Sequence, residues 1–234
     1  KLWEGSWEDD AVVRDTKRGI YADPSKIHAI NHVGKHYEVA GPHLSEPSPQ
    51  RTPLLFQAGS STRGRTFAAK HAECVFIAVA RRNLLAAASV IGDIRAQPVS
   101  EGRYPDDIRF FQGVSPVVGG TEEEAKAKEA EYLEQFSTEG ALAHMSGGIG
   151  VDLAAIDLDR PLKTIDSQAM RGSVKALIES EPDKTQTFRD LVRNRLAGQF
   201  LTGTPEQIAD ALQEWQEAGV DGFNLVYSVT PGTF

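Results

Sequence analysis

Short apolar runs bounded by turn residues, Leu54–Ala58, Cys74–Val79, Ile108–Val114 and Phe223–Tyr227, alternate along this chain with helical patterns. Runs this short and this apolar suit strands buried on both faces, and their alternation with helices predicts a parallel sheet covered by helices, either open or closed into a barrel. The helical patterns are Thr62–His71, Leu84–Ala96, Glu122–Phe136 and Pro205–Ala218. In the second, Leu85, Ala88 and Ile91–Gly92 are expected on one face. In the third, Thr121 is a good N-cap, Glu124 completes a capping box, and Glu122–Glu124 suit the positive helix end. In the last, Thr204 caps, Pro205 fits the first turn, Gln207 can close the box and Gly219 ends the helix. Ile208, Ala211, Leu212 and Trp215 form its apolar stripe at helical spacing.

The first strand–turn–helix unit carries the clearest chemical signal. Leu54–Ala58 runs through Gly59, Ser60 and Ser61 into a helix. The first N–H groups of a helix have no internal partner, and the helix dipole favours negative charge there. Gly59 lets backbone approach a ligand closely, and two hydroxyls add donors. This is the best phosphate position on the chain. The residues alone allow a second reading, a plain N-cap at Ser61 or Thr62 with no ligand, worth about 1 kcal/mol.

The rest is less regular. Residues 6–53 are polar and turn-rich, with a hairpin expected over Ile27–Val39 turning at Val33-Gly34-Lys35. Pro42, Pro47, Pro49 and Pro53 then force an extended approach to the first core strand. Between Ser137 and Asp183 the periodicity breaks at Gly140, Gly147, Gly148, Gly150, Pro161 and Pro182. A connection that long reads as a lid or substrate segment, or as a helical decoration. Lys1–Gly5 resembles the last turn of a helix, and the chain stops just after a strong strand, so both ends read as cut from something longer.

Composition excludes several classes. The net charge of −8, with acids spread along the chain, argues against a nucleic-acid or anionic-membrane partner. No apolar run spans a bilayer and no leader pattern opens the chain. The single cysteine, Cys74, lies in an apolar strand, which points to a reducing compartment, the cytoplasm, and to a buried hydrophobe rather than a reactive thiol. His28, His32 and His36 recur every four residues, but Val33-Gly34-Lys35 breaks any helix there and no carboxylate matches their spacing, so no metal site is expected.

An ordered set of motifs resembles the bacterial luciferase-like flavin monooxygenases. It comprises Leu2-Trp3-Glu4-Gly5-Ser6-Trp7, Pro47–Pro53, Gln57-Ala58-Gly59-Ser60-Ser61, Gly64-Arg65 and Ala69–Glu73. Gly140-Ala141-Leu142-Ala143-His144, Leu201–Glu206 and Ala218–Phe223 continue it. The branch is that of nitrilotriacetate monooxygenase component A, dibenzothiophene-sulfone monooxygenase and long-chain alkane monooxygenase. The resemblance implies a (β/α)₈ TIM barrel, of which residues 1–234 hold only strands five to eight plus an inserted helical segment at about 137–183. It also implies reduced FMN, O₂, a small organic substrate and a separate NAD(P)H-dependent flavin reductase.

Carried over residue by residue, the resemblance places Gly59, Ser60 and Ser61 on the FMN phosphate, with Ala58 and Gln57 beside them. Barrel active sites lie at the C-terminal ends of the strands, which is where this loop falls. His144 is the candidate catalytic residue, because a histidine near the substrate can hydrogen-bond it and titrate near neutrality; the other reading is a helix-end histidine bonded to a carbonyl. Arg63 and Arg65 can add charge to the phosphate, although arginines on a first helical turn are more often solvated; Arg160 and Arg171 read as arginines for a carboxylate that structure must place. Tyr227 and Ser228 end the last strand at the catalytic face, while Asp221 and Gly222 turn at the opposite, stability face. The groups that hold the flavin ring come in the family from the absent strands, so the half barrel is expected to be inactive alone and to associate with another copy or its missing half. Two alternatives remain: a deazaflavin-dependent oxidoreductase on the same barrel, and a non-catalytic flavin-binding protein.

Overall fold

The computed structural model describes residues 1–58, 61–77, 79, 83–97, 102–149, 152–153, 157–161, 185–190, 192 and 200–227. Residues Lys1–Leu55 and Phe56–Phe234 form two units.

In the first unit, α1 (Leu2–Gly5) is a single turn. β1 (Val12–Asp15) and β2 (Ile20–Ala22) form an antiparallel hairpin that the sequence reading did not anticipate. The signal is local: Asp15 accepts from the Lys17 and Arg18 N–H groups at 3.0 Å each, and Gly19 takes φ +67°. The expected second hairpin is present as β3 (His32–Val33) and β4 (Glu38–Val39), closed by Gly34 N–H to Tyr37 O at 2.9 Å. The proline-bearing stretch after it is held to the N-terminal residues by side chains, because prolines supply no ladder donors. His43 N–H donates to Ser6 Oγ (2.9 Å), Trp7 Nε1 to His43 O (2.8 Å), Arg51 to Trp7 O (2.7 Å) and Thr52 N–H to Glu4 (2.9 Å).

The second unit is built on β5 (Phe56–Ala58), β6 (Cys74–Ile77), β7 (Arg109–Val118), β8 (Phe200–Gly203) and β9 (Gly222–Leu225). Every pairing is parallel. Phe56 lies opposite Cys74, Cys74 opposite Arg109, and Phe111 opposite Gly222. β8 pairs the end of β7, with Phe200 opposite Ser115. This strand was missed: Phe200-Leu201-Thr202-Gly203 is too short and mixed to read as one. Its ladder carries β7 through Pro116 to Val118, beyond the end expected at Val114.

Helices cover one face of the sheet. Ala68 and Ala69 of α2 (Thr62–His71), Ala87, Ile91 and Ile94 of α3 (Leu84–Ala96) and Trp215 of the Pro205–Glu217 helix meet Val75, Ile77 and Phe110. Burying each large apolar side chain contributes about 1.5–3 kcal/mol. The buried face of α3 is therefore Ala87–Ile91–Ile94, whereas Leu85, expected inward, is 85% exposed. α4 (Glu122–Glu134) begins as expected at Thr121, whose Oγ1 accepts from Glu124 N–H at 3.2 Å. The Glu124 carboxylate reaches one residue further than a capping box would, to Gly120 N–H at 2.8 Å. It does so because Gly119 brings this turn against the helix: a Cβ there would lie 2.4 Å from Ala125 N. α5 (Thr138–Ile149) forms through Gly140, Gly147 and Gly148, where the sequence showed only broken periodicity. The last helix, α6 (Pro205–Glu217), has the full Thr204/Gln207 capping box, and Ile208, Ala211 and Trp215 are buried.

At the N-terminal end of the strands, Asp221 ties β9 to β7. Its N–H donates to Phe110 O (2.8 Å), and its carboxylate accepts from Phe110 N–H (2.8 Å) and Arg109 (3.1 Å), with Arg95 at 3.5 Å. The Arg95 guanidinium lies over the Phe110 ring, 5.2 Å from its centroid. This is the stability contact expected of Asp221. Asp221→Ala should lower the unfolding free energy by about 2 kcal/mol, because it strands a buried N–H and two guanidinium groups; urea midpoints at unchanged m test this. Gly119→Ala should cost about 1–3 kcal/mol in the same assay, since backbone rather than a flexible side chain blocks its Cβ. Cys74 is 4% exposed, and burial pushes its thiol up, with Glu73 and Asp221 adding to the shift. A thiol reagent at neutral pH should therefore label the native chain at least about tenfold more slowly than the urea-unfolded chain.

Candidate functional site

Parallel strands deliver their C-terminal ends to one edge of the sheet. β5 ends there at Ala58, and α2 starts with Ser61 as N-cap, φ −67° and ψ 153°. Ser61 Oγ accepts from Gly64 N–H at 3.1 Å, and Ser61 O accepts from Arg65 N–H at 2.9 Å. The hydroxyl keeps its proton free to donate outward. Residues 62 and 63 sit in the first turn, where no helix carbonyl can reach their N–H groups. Gly59 and Ser60 lie outside the described residues.

Among the described α-helices α2 shares the lack of a first-turn acid with α3 and is alone in carrying a cation there. α4 carries Glu122, Glu123 and Glu124 in its first turn and α6 carries Glu206, as the dipole prefers. α2 has no acid there; it has Arg63, and Arg65 one step on. Arg65 is not simply solvated, since Asp93 of α3 holds it at 3.1 Å, while Arg63 is exposed. An N-terminus without its own anion and with nearby cations is a fitting seat for a phosphate.

The sheet face opposite the helices is layered. Phe56, Cys74 and Arg109 form one register row, then Ala58, Phe76, Phe111 and Gly222, then Gly113 and Asn224. Phe56 and Phe111 have ring centroids 5.5 Å apart. Glycines make room for the rings: a Cβ on Gly113 would come 3.0 Å from Phe76 Cζ, and one on Gly222 would come 2.6 Å from Phe111 Cε1. The aromatic layer is thus followed, toward the C-terminal edge, by small or polar residues. Asn224 was not singled out from the sequence. The available signal was strand parity, since Phe223 packs on the helix side and its neighbours must face the other way.

Other expected residues disperse. His144 is exposed on α5, on the side away from buried Leu142 and Met145. Ser146, two residues on, donates to Leu142 O (2.7 Å) and accepts from Leu153 N–H (3.0 Å). No described contact joins His144 to Ser61 or to the strand ends. Tyr227 is 65% exposed after β9; Ser228 and Arg171 lie outside the described residues, and Arg160 sits in the exposed 157–161 turn. In the first unit, His28 meets Glu8 at 2.7 Å and His43 Nδ1 meets Ser45 O at 3.0 Å. Among the described residues no group of three or more His, Cys, Asp or Glu is arranged to hold a metal, and no helix is long and apolar enough to cross a membrane. A cleft of about 190 Å³ in this unit is lined by Trp3, Trp7, His43 and Arg51 among others.

Comparison with known proteins agrees with this geometry. Dimethyl-sulfide monooxygenase of Hyphomicrobium sulfonivorans is 47% identical over 237 residues, covering 100% of this chain and 49% of the relative. Long-chain alkane monooxygenase of Geobacillus thermodenitrificans is 46% identical over 238 residues, with 100% and 49% covered. The crystal structure of riboflavin lyase with modified FMN and riboflavin superposes with a TM-score of 0.73 at 38% identity, covering 99% of this chain and 51% of that one. The chain spans about half the length of the curated relatives it matches. Its parallel sheet with one helix-covered face is part of the TIM barrel of these proteins. The profile of the luciferase-like monooxygenases matches residues 11–222, and the chain belongs to that family.

Proposed function

We propose that the whole protein is an FMN-dependent monooxygenase and that residues 1–234 supply the second half of its barrel, with the segment at about 137–183 as a lid or substrate loop. β5, β6, β7 and β9 are then its fifth to eighth strands. The observation that carries this reading is the first turn of α2: an N-terminus free of acids, flanked by arginines, at the catalytic edge of a parallel sheet. Such a donor set fits the phosphate of FMN.

In this reading Gly59, Ser60 and Ser61 hold the phosphate, with Ala58 beside it and Arg63 adding charge. Reduced FMN, when bound, supplies the two electrons that let O₂ give one oxygen atom to the substrate and the other to water. The chain's own residues bind, orient and exclude. The layer of Phe56, Phe76 and Phe111 seals the site from the N-terminal side, so that water does not reach the reacting atoms through the barrel. His144 serves the substrate side, where an imidazole can donate or accept one hydrogen bond. Because each turnover consumes two electrons, a flavin reductase using NAD(P)H is the natural partner. A cytoplasmic setting and association with a second copy belong to the same reading.

Two measurements test it. In the full-length protein, Ser60→Ala with Ser61→Ala should weaken FMN binding about 10–100-fold, the effect of losing hydrogen bonds to a charged group, and leave riboflavin binding unchanged. Equal loss for both flavins, or no loss, refutes the phosphate loop. Residues 1–234 alone, given reductase, FMN and dimethyl sulfide, should show no substrate oxidation above the reductase background; turnover at a full-length rate would sink the half-barrel assignment.

A further inference from the structure

The layered face carries a carboxamide that the phosphate loop and the aromatic layer do not use. Asn224 follows Gly222 and Phe223 on β9. Phe223 packs into the helix-side core, and Gly222 abuts Phe111 on the opposite face, so Asn224 shares the face of Phe56, Phe76 and Phe111. Register puts it opposite Gly113, one layer nearer the C-terminal edge than the rings. It is exposed, and no described residue hydrogen-bonds its carboxamide. Asparagine is disfavoured within strands, where β-branched or aromatic residues pack best; on this face it has Gly222, Gly113 and Phe111 beside it, with Ser115 of β7 one layer further on. An amide at this level has a task that strand packing does not explain.

Its distance from the phosphate loop narrows the task. β9 stands three strand spacings from β5 across β6 and β7, at most about 14 Å at ~4.8 Å per spacing. That is too far for contact with a phosphate at the N-terminus of α2. It matches the far end of a ligand anchored there, and whatever reacts with it.

We propose that Asn224 is a substrate-contacting residue whose carboxamide selects substrates bearing a hydrogen-bonding heteroatom over hydrocarbons. This rests on the FMN reading above and deepens it. A heteroatom accepts from Nδ2 or donates to Oδ1; a hydrocarbon of the same shape covers the amide and leaves both groups without partners. Sites built to hydrogen-bond a ligand discriminate strongly against the analogue that lacks the group. The family contains relatives named for a sulfide and for a long-chain alkane, so the distinction divides real alternatives.

The test uses full-length protein loaded with oxidised FMN, where no turnover occurs, and reads ligand binding by the change in flavin absorbance. The probes are straight-chain 2-alkanones, short to long, each paired with the 2-methyl-1-alkene of the same shape. Native protein should bind the better ketones at least about tenfold more tightly than their alkene partners. Asn224→Leu should reduce that preference to about twofold or less, with unchanged FMN affinity, and Asn224→Gln should restore part of it. A native preference for alkenes, no binding of either probe series, or a preference that survives Asn224→Leu would each overturn the proposal. Loss of FMN binding in Asn224→Leu would also overturn it, by making Asn224 a cofactor or structural contact. Failure of the phosphate-loop variants to separate FMN from riboflavin would strike the underlying reading instead.

Discussion

β7 is the strand on which the second unit depends. Its first half is bonded to β6 and to β9, its second half to β8. Parallel strands have no tight hairpins to fix their register, so alignment must come from such shared ladders and from helices packed across them. Phe110 concentrates both demands: its N–H and C=O are taken by Asp221, and its ring is sealed between the helix core and Arg95. If β7 slipped by one residue, the Phe rings and the helix-side apolar residues would exchange faces. The edge that carries the N-terminus of α2 and the aromatic layer would then be lost together.

Much of this frame was legible in the sequence because its signals are local. Thr62–His71 and Leu84–Ala96 begin and end where their caps and periodicity place them, and Thr204 with Gln207 closes its box. What was not legible depends on partners distant in sequence. β8 is a strand only because Ser115–Val118 lies beside it, and the β1–β2 hairpin relies on an aspartate turn too small to stand out. Leu85 misled because an apolar helix shows no preferred face until its neighbours are known; α3 is apolar nearly all round, and the sheet chose Ala87, Ile91 and Ile94.

The site divides in the same way. Ser61 stands as the N-cap of α2 because a cap is a local pattern, and the sequence carries it in full. His144 was chosen by resemblance, and its exposed place on α5 puts it near none of the other described site residues. Asn224 was passed over because strand parity acquires meaning only once Phe223 and Gly222 are known to face opposite sides. The arginines show most clearly what sequence alone leaves out: Arg63 and Arg65 sit two residues apart, yet one is exposed and the other is paired with an aspartate 28 positions away.

The contact between Phe76 and Gly113 also has a mechanical meaning. The ring rests on bare backbone, and nothing thinner than a glycine exists to rest on. Phe76 therefore lies close against β7, and Gly113 permits that approach. A single methyl group at position 113 would push the ring away by a few tenths of an ångström. Position 113 thus limits how closely the Phe76 ring can approach the strands.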